Sequence, residues 1–187
     1  FYFLKNNYRR LISLSERKFL LEKVVSVEFN NSLNEFYFKN NIHPVFKSSS
    51  ELLNYLILPQ DTDSAKTLKI FEFCSEHFHF DLPFIQDTTL HSPIVFLNIY
   101  GYGYCDDAAA FFVNLCKQPG LDACVISFDG HVAAQVYFNN GWKFFDPSIG
   151  KYLKDKNCRI LSLSDLYENP ISIKNLYEGY IGKKIIV

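Results

Sequence analysis

One stretch near the middle of this chain constrains its fold more than any other, because a glycine-containing loop runs directly into a cysteine and a strong helix pattern. The loop occupies residues 100–104, and Cys105 follows it. From residue 106 to residue 118, apolar side chains recur at helical spacing on two adjoining faces. Pro119 and Gly120 then end the pattern, as residues of these types commonly do. We therefore expect a central, buried helix with Cys105 at its N-terminus.

The position of Cys105 favours a reactive thiol. The N-terminus of a helix presents unpaired backbone N–H groups and the positive end of the dipole, and both stabilise a thiolate. Gly101 and Gly103, in the loop before the cysteine, let a substrate backbone approach closely. We expect Tyr102, Gly103 and Tyr104 to line a substrate-binding cleft. On this stretch alone, a small apolar residue that merely begins a helix explains Cys105 equally well.

Composition and charge exclude several classes of function. The chain has 187 residues, enough for one domain with a real core, and its net charge of −1 gives no reason to expect nucleic acid as a partner. Its apolar runs are shorter than the roughly 18 residues of a bilayer-spanning helix, so we expect no membrane insertion. Five cysteines without CxxC pairs argue against a disulfide scaffold or a zinc finger and favour a reducing compartment such as the cytoplasm.

No pattern in the sequence calls for a metal ion or another cofactor. The short acidic run Asp61-Thr62-Asp63 lacks the remaining ligands of a calcium loop, and we interpret it as a helix cap with Asp63 as the N-cap residue. The sequence leaves the oligomeric state open.

The chain is predicted to have two parts. Residues 1–60 form an N-terminal arm or a small subdomain, which includes a hairpin of residues 24–29 with residues 35–38. Residues 61–187 form the core with a C-terminal extension. A helix is expected from Ser64 to about His77, and the loop of residues 81–92 is expected to form one wall of a cleft.

After the central helix, the pattern changes to three strands joined by tight turns. They cover residues 123–128, residues 132–138 and residues 142–145, with Asp129-Gly130 and Asn139-Asn140 at the turns. A helix followed by an antiparallel meander indicates an α+β domain in which the helix that bears Cys105 packs on an antiparallel sheet.

The same meander brings a histidine and an aspartate together. His131 opens the second strand and Asp146 closes the third. If the second turn has two residues, Asp146 lies opposite Ala133, so His131 and Asp146 share a face as diagonal neighbours, roughly 7–8 Å apart at the backbone. A histidine oriented by a carboxylate is the part of a nucleophilic triad that activates the third group. Cys105 would be the nucleophile, His131 the base and Asp146 its orienting partner.

The order of these motifs resembles the transglutaminase-like superfamily of papain-type folds. The motifs are Gly103-Tyr104-Cys105, Gly130-His131, Gly141-Trp142 and Asp146-Pro147-Ser148, and the resemblance covers about residues 61–150. It implies the same three catalytic roles and a fold in which a cysteine-bearing helix packs on the sheet that carries His and Asp. The run Val132-Ala133-Ala134-Gln135 departs from the Trp-Asn-Glu type of run that is frequent in the family, so the substrate is not implied.

Several functions remain open at this point. The expected one is hydrolysis of a peptide or amide bond through a thioester, with a peptide or protein as substrate. Transamidation of protein glutamine, arylamine N-acetyltransferase-like chemistry and a non-catalytic binding module are the alternatives, although the Arg-Gly-Gly lead-in of the acetyltransferases is absent. Trp142 is a candidate substrate-binding residue that either shields the His131–Asp146 pair from water or packs on the sheet.

Overall fold

A computed structural model of the chain describes residues 24–30, 35–40, 46–80, 92–97 and 102–169, together with residues 174 and 177. The chain divides into two compact units, residues 1–46 and residues 47–187. In the first unit, strands β1 (Val24–Asn30) and β2 (Glu35–Asn40) pair antiparallel. This pairing confirms the predicted hairpin.

The second unit begins with two helices. Helix α1 (Ser49–Leu56) is capped by Ser48, and helix α2 (Asp63–His77) is capped by Thr62, whose hydroxyl accepts from the amide of Ala65 at 3.3 Å. The expected cap, Asp63, is instead the first residue of α2, because the threonine hydroxyl already accepts that amide. Helix α1 lies before the boundary predicted at residue 60, within this second unit.

A short parallel pair joins the end of α2 to the loop before the cysteine. Strand β3 (His79–Phe80) pairs with strand β4 (Tyr102–Gly103), and the short helix α3 (Pro93–Val95) lies between them in the chain. The predicted cleft wall, residues 81–92, lies outside the described residues except for Ser92. The pairing holds the residues before Cys105 against the C-terminal end of α2.

Helix α4 (Cys105–Lys117) is the centre of the second unit, as the sequence predicts. Most of its circumference is buried, and the exposed or half-buried residues, which include Asp106, Asn114 and Lys117, lie on the remaining face. Its buried apolar residues are Ala108, Ala109, Phe111, Phe112, Val113, Leu115 and Cys116. Burial of this kind stabilises a fold by roughly 25 cal/mol for each Å² of apolar surface removed from water.

Three antiparallel strands follow α4 in the order β5-β6-β7, namely β5 (Ala123–Phe128), β6 (His131–Phe138) and β7 (Gly141–Phe145). Phe138 pairs with Gly141, so the connecting turn has two residues, and both are asparagines with positive φ angles of 49° and 60°. These angles match the type I′ turn that fits the twist of a hairpin. The predicted register is confirmed.

Both faces of this sheet are covered. On one face, Phe145 lies between α2 and α4, with ring centroids 5.1 Å from Phe71 and 5.5 Å from Phe112. On the other face, Phe144 belongs to a buried apolar cluster with Leu166 of the last helix, α5 (Leu163–Glu168). The architecture is the predicted α+β fold, with the cysteine-bearing helix packed on the antiparallel sheet. Of the helices that the structure describes, none has the length and apolar character needed to cross a membrane.

Candidate active site

Cys105 is the first residue of α4 and is half-buried. The residue before it, Tyr104, has extended backbone angles, and its amide donates to Oδ2 of Asp107 at 2.9 Å. Asp107 is buried one turn into the helix, so its carboxylate ties the loop to the helix start. This contact fixes the direction in which the chain enters the helix and therefore the position of the cysteine.

The fit between Gly103 and Asp107 leaves no room for a side chain. A Cβ atom built on Gly103 would lie 2.7 Å from the Cβ of Asp107. We expect Gly103→Ala to destabilise the domain by about 1–3 kcal/mol, because the loop or the helix start must shift. Urea unfolding measures this change. Gly141→Ala is the matched control, since its Cβ would meet only the Lys143 ammonium at 3.5 Å. Equal stabilities of the two variants would contradict the close fit.

His131 and Asp146 meet at the open end of the β6–β7 hairpin. Nε2 of His131 lies 2.6 Å from Oδ2 of Asp146, and the two side chains are 11% and 0% exposed. The Cys105 side chain lies close enough to the imidazole to help raise its pKa. Because Nε2 faces the carboxylate, Nδ1 is the ring nitrogen left for the thiol. The structure thus brings together all three residues of the predicted triad.

The carboxylate of Asp146 is saturated with donors. Ser148 donates to Oδ1 from its amide at 3.1 Å and from its hydroxyl at 2.6 Å. Oδ2 accepts from His131 and also from the hydroxyl of Tyr177 at 2.9 Å. Four donors on a fully buried group suit a negatively charged acceptor.

The surroundings of His131 favour its protonated form. Burial by itself lowers the pKa of the imidazole, but hydrogen bonds and charge interactions with Asp146 and Cys105 outweigh burial and raise the pKa to about 9. The ring also lies between two aromatic side chains, Phe128 at 6.5 Å and Tyr177 at 5.5 Å between centroids. An imidazolium held beside a thiol is the arrangement that activates cysteine as a nucleophile.

The residues predicted to bind substrate fall into two groups. Gly103 and Tyr104 adjoin the nucleophile, with the ring of Tyr104 5.9 Å from that of Phe80, and Tyr102 is described only by its backbone, which pairs in β4. Trp142 lies instead beside the turn of the hairpin, about 13 Å along the strand from Asp146. Its indole is 40% exposed and packs edge-on against Tyr137 at 5.6 Å, so it does not cover the His131–Asp146 pair.

Three residues of the site were assigned no role from the sequence, namely Asp107, Ser148 (named only as part of a motif) and Tyr177. Ser148 carried a usable signal, because an aspartate commonly accepts from the amide two residues later. Asp107 carried a weaker one, as an acidic residue three positions after the residue that precedes the helix. Tyr177 carried none, since a contact across this much sequence leaves no local pattern.

Metal binding has no support in the described part of the chain, where no three His, Cys, Asp or Glu side chains are grouped to hold an ion. The five cysteines, all of which are described, are free thiols. Cys74 and Cys116 are buried, Cys124 is half-buried and Cys158 is exposed.

Comparison with known proteins identifies a family match over the region of the chain that contains this site. The family model described as the transglutaminase-like superfamily matches residues 50–147, more than half of the chain. This range contains Cys105, His131 and Asp146 and ends just before Ser148. No curated protein matches the chain.

Proposed function

Since the chain belongs to the transglutaminase-like superfamily, whose members are typically Cys-His-Asp enzymes, we propose that it transfers acyl groups through a thioester on Cys105. The favoured reaction is hydrolysis of a peptide or amide bond. The observation that carries this proposal is that the imidazole of His131 is bonded to a buried carboxylate and lies close enough to the half-buried thiol of Cys105 for the thiol to act on its pKa.

In the first half of the reaction, the thiol proton resides on His131 and the thiolate attacks the carbonyl carbon of the substrate. The carbonyl oxygen gains negative charge, which backbone N–H groups at the start of α4 are placed to stabilise. The tetrahedral intermediate then collapses. Its C–N bond breaks, His131 returns the proton to the departing amine, and a thioester remains on Cys105.

In the second half, His131 removes a proton from water while the oxygen attacks the thioester carbonyl. The C–S bond breaks, the acid leaves, and the thiolate–imidazolium pair is restored. Asp146 keeps Nε2 protonated throughout, so Nδ1 is the nitrogen that exchanges protons with thiol, leaving group and water. A primary amine in place of water would give transamidation by the same steps.

A p-nitrophenyl ester of a short acid tests the proposal, because its good leaving group lets the thioester accumulate. We expect a burst of nitrophenolate and an acyl mass on the peptide that contains Cys105. Cys105→Ser should lose both signals, whereas Cys158→Ser, which alters the exposed thiol, should keep them. Acylation of Cys158 with none on Cys105 would contradict the proposal.

The same assay shows whether water or an amine accepts the acyl group. Addition of methylamine diverts the acyl group to the amide if the enzyme transfers to amines, and leaves the free acid as the product if it is a hydrolase. We expect the free acid to dominate.

A further inference from the structure

We propose that Tyr177 is a positioning residue of this site: its hydroxyl fixes the carboxylate of Asp146 and its ring holds the imidazole of His131. The inference rests on the proposed function and extends it to the C-terminal part of the chain. Tyr177 lies beyond the range that matches the family, which ends at residue 147.

The hydroxyl of Tyr177 is hydrogen-bonded to the same carboxylate oxygen that faces His131. Tyr177 donates to Oδ2 of Asp146 at 2.9 Å, and this is the oxygen that faces Nε2 of His131 at 2.6 Å. Ser148 holds the other oxygen from two sides. Both oxygens of the carboxylate therefore accept hydrogen bonds, so the group cannot rotate away from the imidazole without breaking hydrogen bonds between buried atoms.

The ring of Tyr177 is in direct contact with the imidazole of His131. The Tyr177 and His131 rings are 5.5 Å apart at an angle of 87°, an edge-to-face arrangement. Phe128 lies 6.5 Å from the same imidazole and nearly parallel to it. Two aromatic neighbours at different angles restrict rotation of the imidazole and exclude water from its bond to Asp146.

Helix α5 and Tyr177 pack on the same apolar cluster at the sheet. Leu166 of α5 is 2% exposed and packs with Phe144, and Tyr177 packs against the same apolar cluster. Arg159 holds Asp165, at the start of α5, through two hydrogen bonds of 3.0 Å. The packing of the Tyr177 ring against this cluster supports the position of its hydroxyl beside Asp146.

The hydrogen bond from Tyr177 to Asp146 is expected to change the pKa of His131 in a definite direction. The titratable groups that face the imidazole are Asp146 and Cys105, which act on its pKa, and Tyr177, whose ring contacts it. The phenolic O–H directs the positive end of its dipole at Oδ2 and so competes with the imidazolium for that oxygen. Ser148 still holds the carboxylate when the hydroxyl is removed, so the loss of the competing donor should strengthen the interaction of Asp146 with the imidazolium and raise the pKa of His131.

The test is a titration of ¹³C-labelled histidine rings by NMR, in the wild type and in Tyr177→Phe. The signal of His131 is assigned by its absence in His131→Ala. The wild-type midpoint is expected at about 9. In Tyr177→Phe, which retains the ring, we expect the midpoint to rise by roughly half a unit. Tyr167→Phe, which alters an exposed tyrosine of α5, should leave it unchanged.

A second substitution is expected to change the pKa of His131 in the opposite direction. Site-specific 3-fluorotyrosine at position 177 is a stronger donor of similar size, so it should lower the His131 midpoint. A midpoint that is unchanged or lowered in Tyr177→Phe would overturn the inference while leaving the proposed function intact. A wild-type His131 that titrates near 6.5 would instead overturn the His131–Asp146 pair on which the proposed function stands.

Discussion

Replacing Asp146 with alanine is expected to destabilise the domain by about 3–5 kcal/mol. The carboxylate is fully buried and accepts four hydrogen bonds, two from Ser148 and one each from His131 and Tyr177. Without it, these donors lose their acceptor in a place that water does not reach freely, and the His131 imidazolium loses its counter-charge. Urea unfolding followed by far-UV circular dichroism measures the change.

Two further variants separate stability from chemistry. Asp146→Asn retains the volume and one acceptor oxygen, so it should fold, but it no longer holds His131 as the tautomer with a proton on Nε2. We expect it to lower the rate of acyl transfer by about 10³–10⁴. Asp129→Asn is the control, because Asp129 is exposed in the turn before His131 and should change stability by less than about 0.5 kcal/mol. A stable, fully active Asp146→Asn protein would contradict the role assigned to this carboxylate.

Replacing His131 with alanine is expected to lower nitrophenyl ester turnover by about 10²–10⁴, the usual contribution of one general acid–base group. The thiol then loses the group that takes its proton and returns one to the leaving group. Stopped-flow release of nitrophenolate measures the loss. Free imidazole added to His131→Ala should restore part of the rate, since imidazole is small enough to occupy the cavity left by the side chain.

Rescue by imidazole distinguishes the loss of a proton-transfer group from a structural change in the variant. The fluorescence of Trp142, the single tryptophan, reports whether the β6–β7 hairpin is intact in the variant. Turnover that is unaffected by the loss of His131 would contradict its role as base, and a folded but inactive variant that imidazole does not rescue would weaken it.

Much of this fold was predictable because its signals are local. Helix α4 is apolar on nearly every side, and a helix with that pattern is most stable at the centre of a domain. The turn Asn139-Asn140 has the residue type that tolerates positive φ, and a two-residue turn fixes the register of the whole hairpin. The placement of His131 beside Asp146 follows from that register by counting alone.

The parts that were not predictable depend on distant contacts. Tyr177 donates to Asp146 across a separation of 31 residues, and no short-range pattern encodes such a contact. Trp142 shares a strand face with Asp146, as the pattern indicates, but sharing a face does not imply proximity when four residues of strand intervene. Asp107 was visible as an acid in the first helical turn, yet only its burial against Gly103 reveals that it holds the loop.

The central claim is that His131 activates Cys105, and the pH dependence of Cys105 alkylation tests it most directly. Iodoacetamide labelling of each cysteine is followed by mass spectrometry in the wild type and in His131→Ala, with exposed Cys158 as the internal reference. We expect wild-type Cys105 to be alkylated faster than Cys158 at and below neutral pH, and to lose that advantage in His131→Ala. If Cys105 instead reacts no faster than Cys158 in both proteins, the thiol is not activated and the proposed function is wrong.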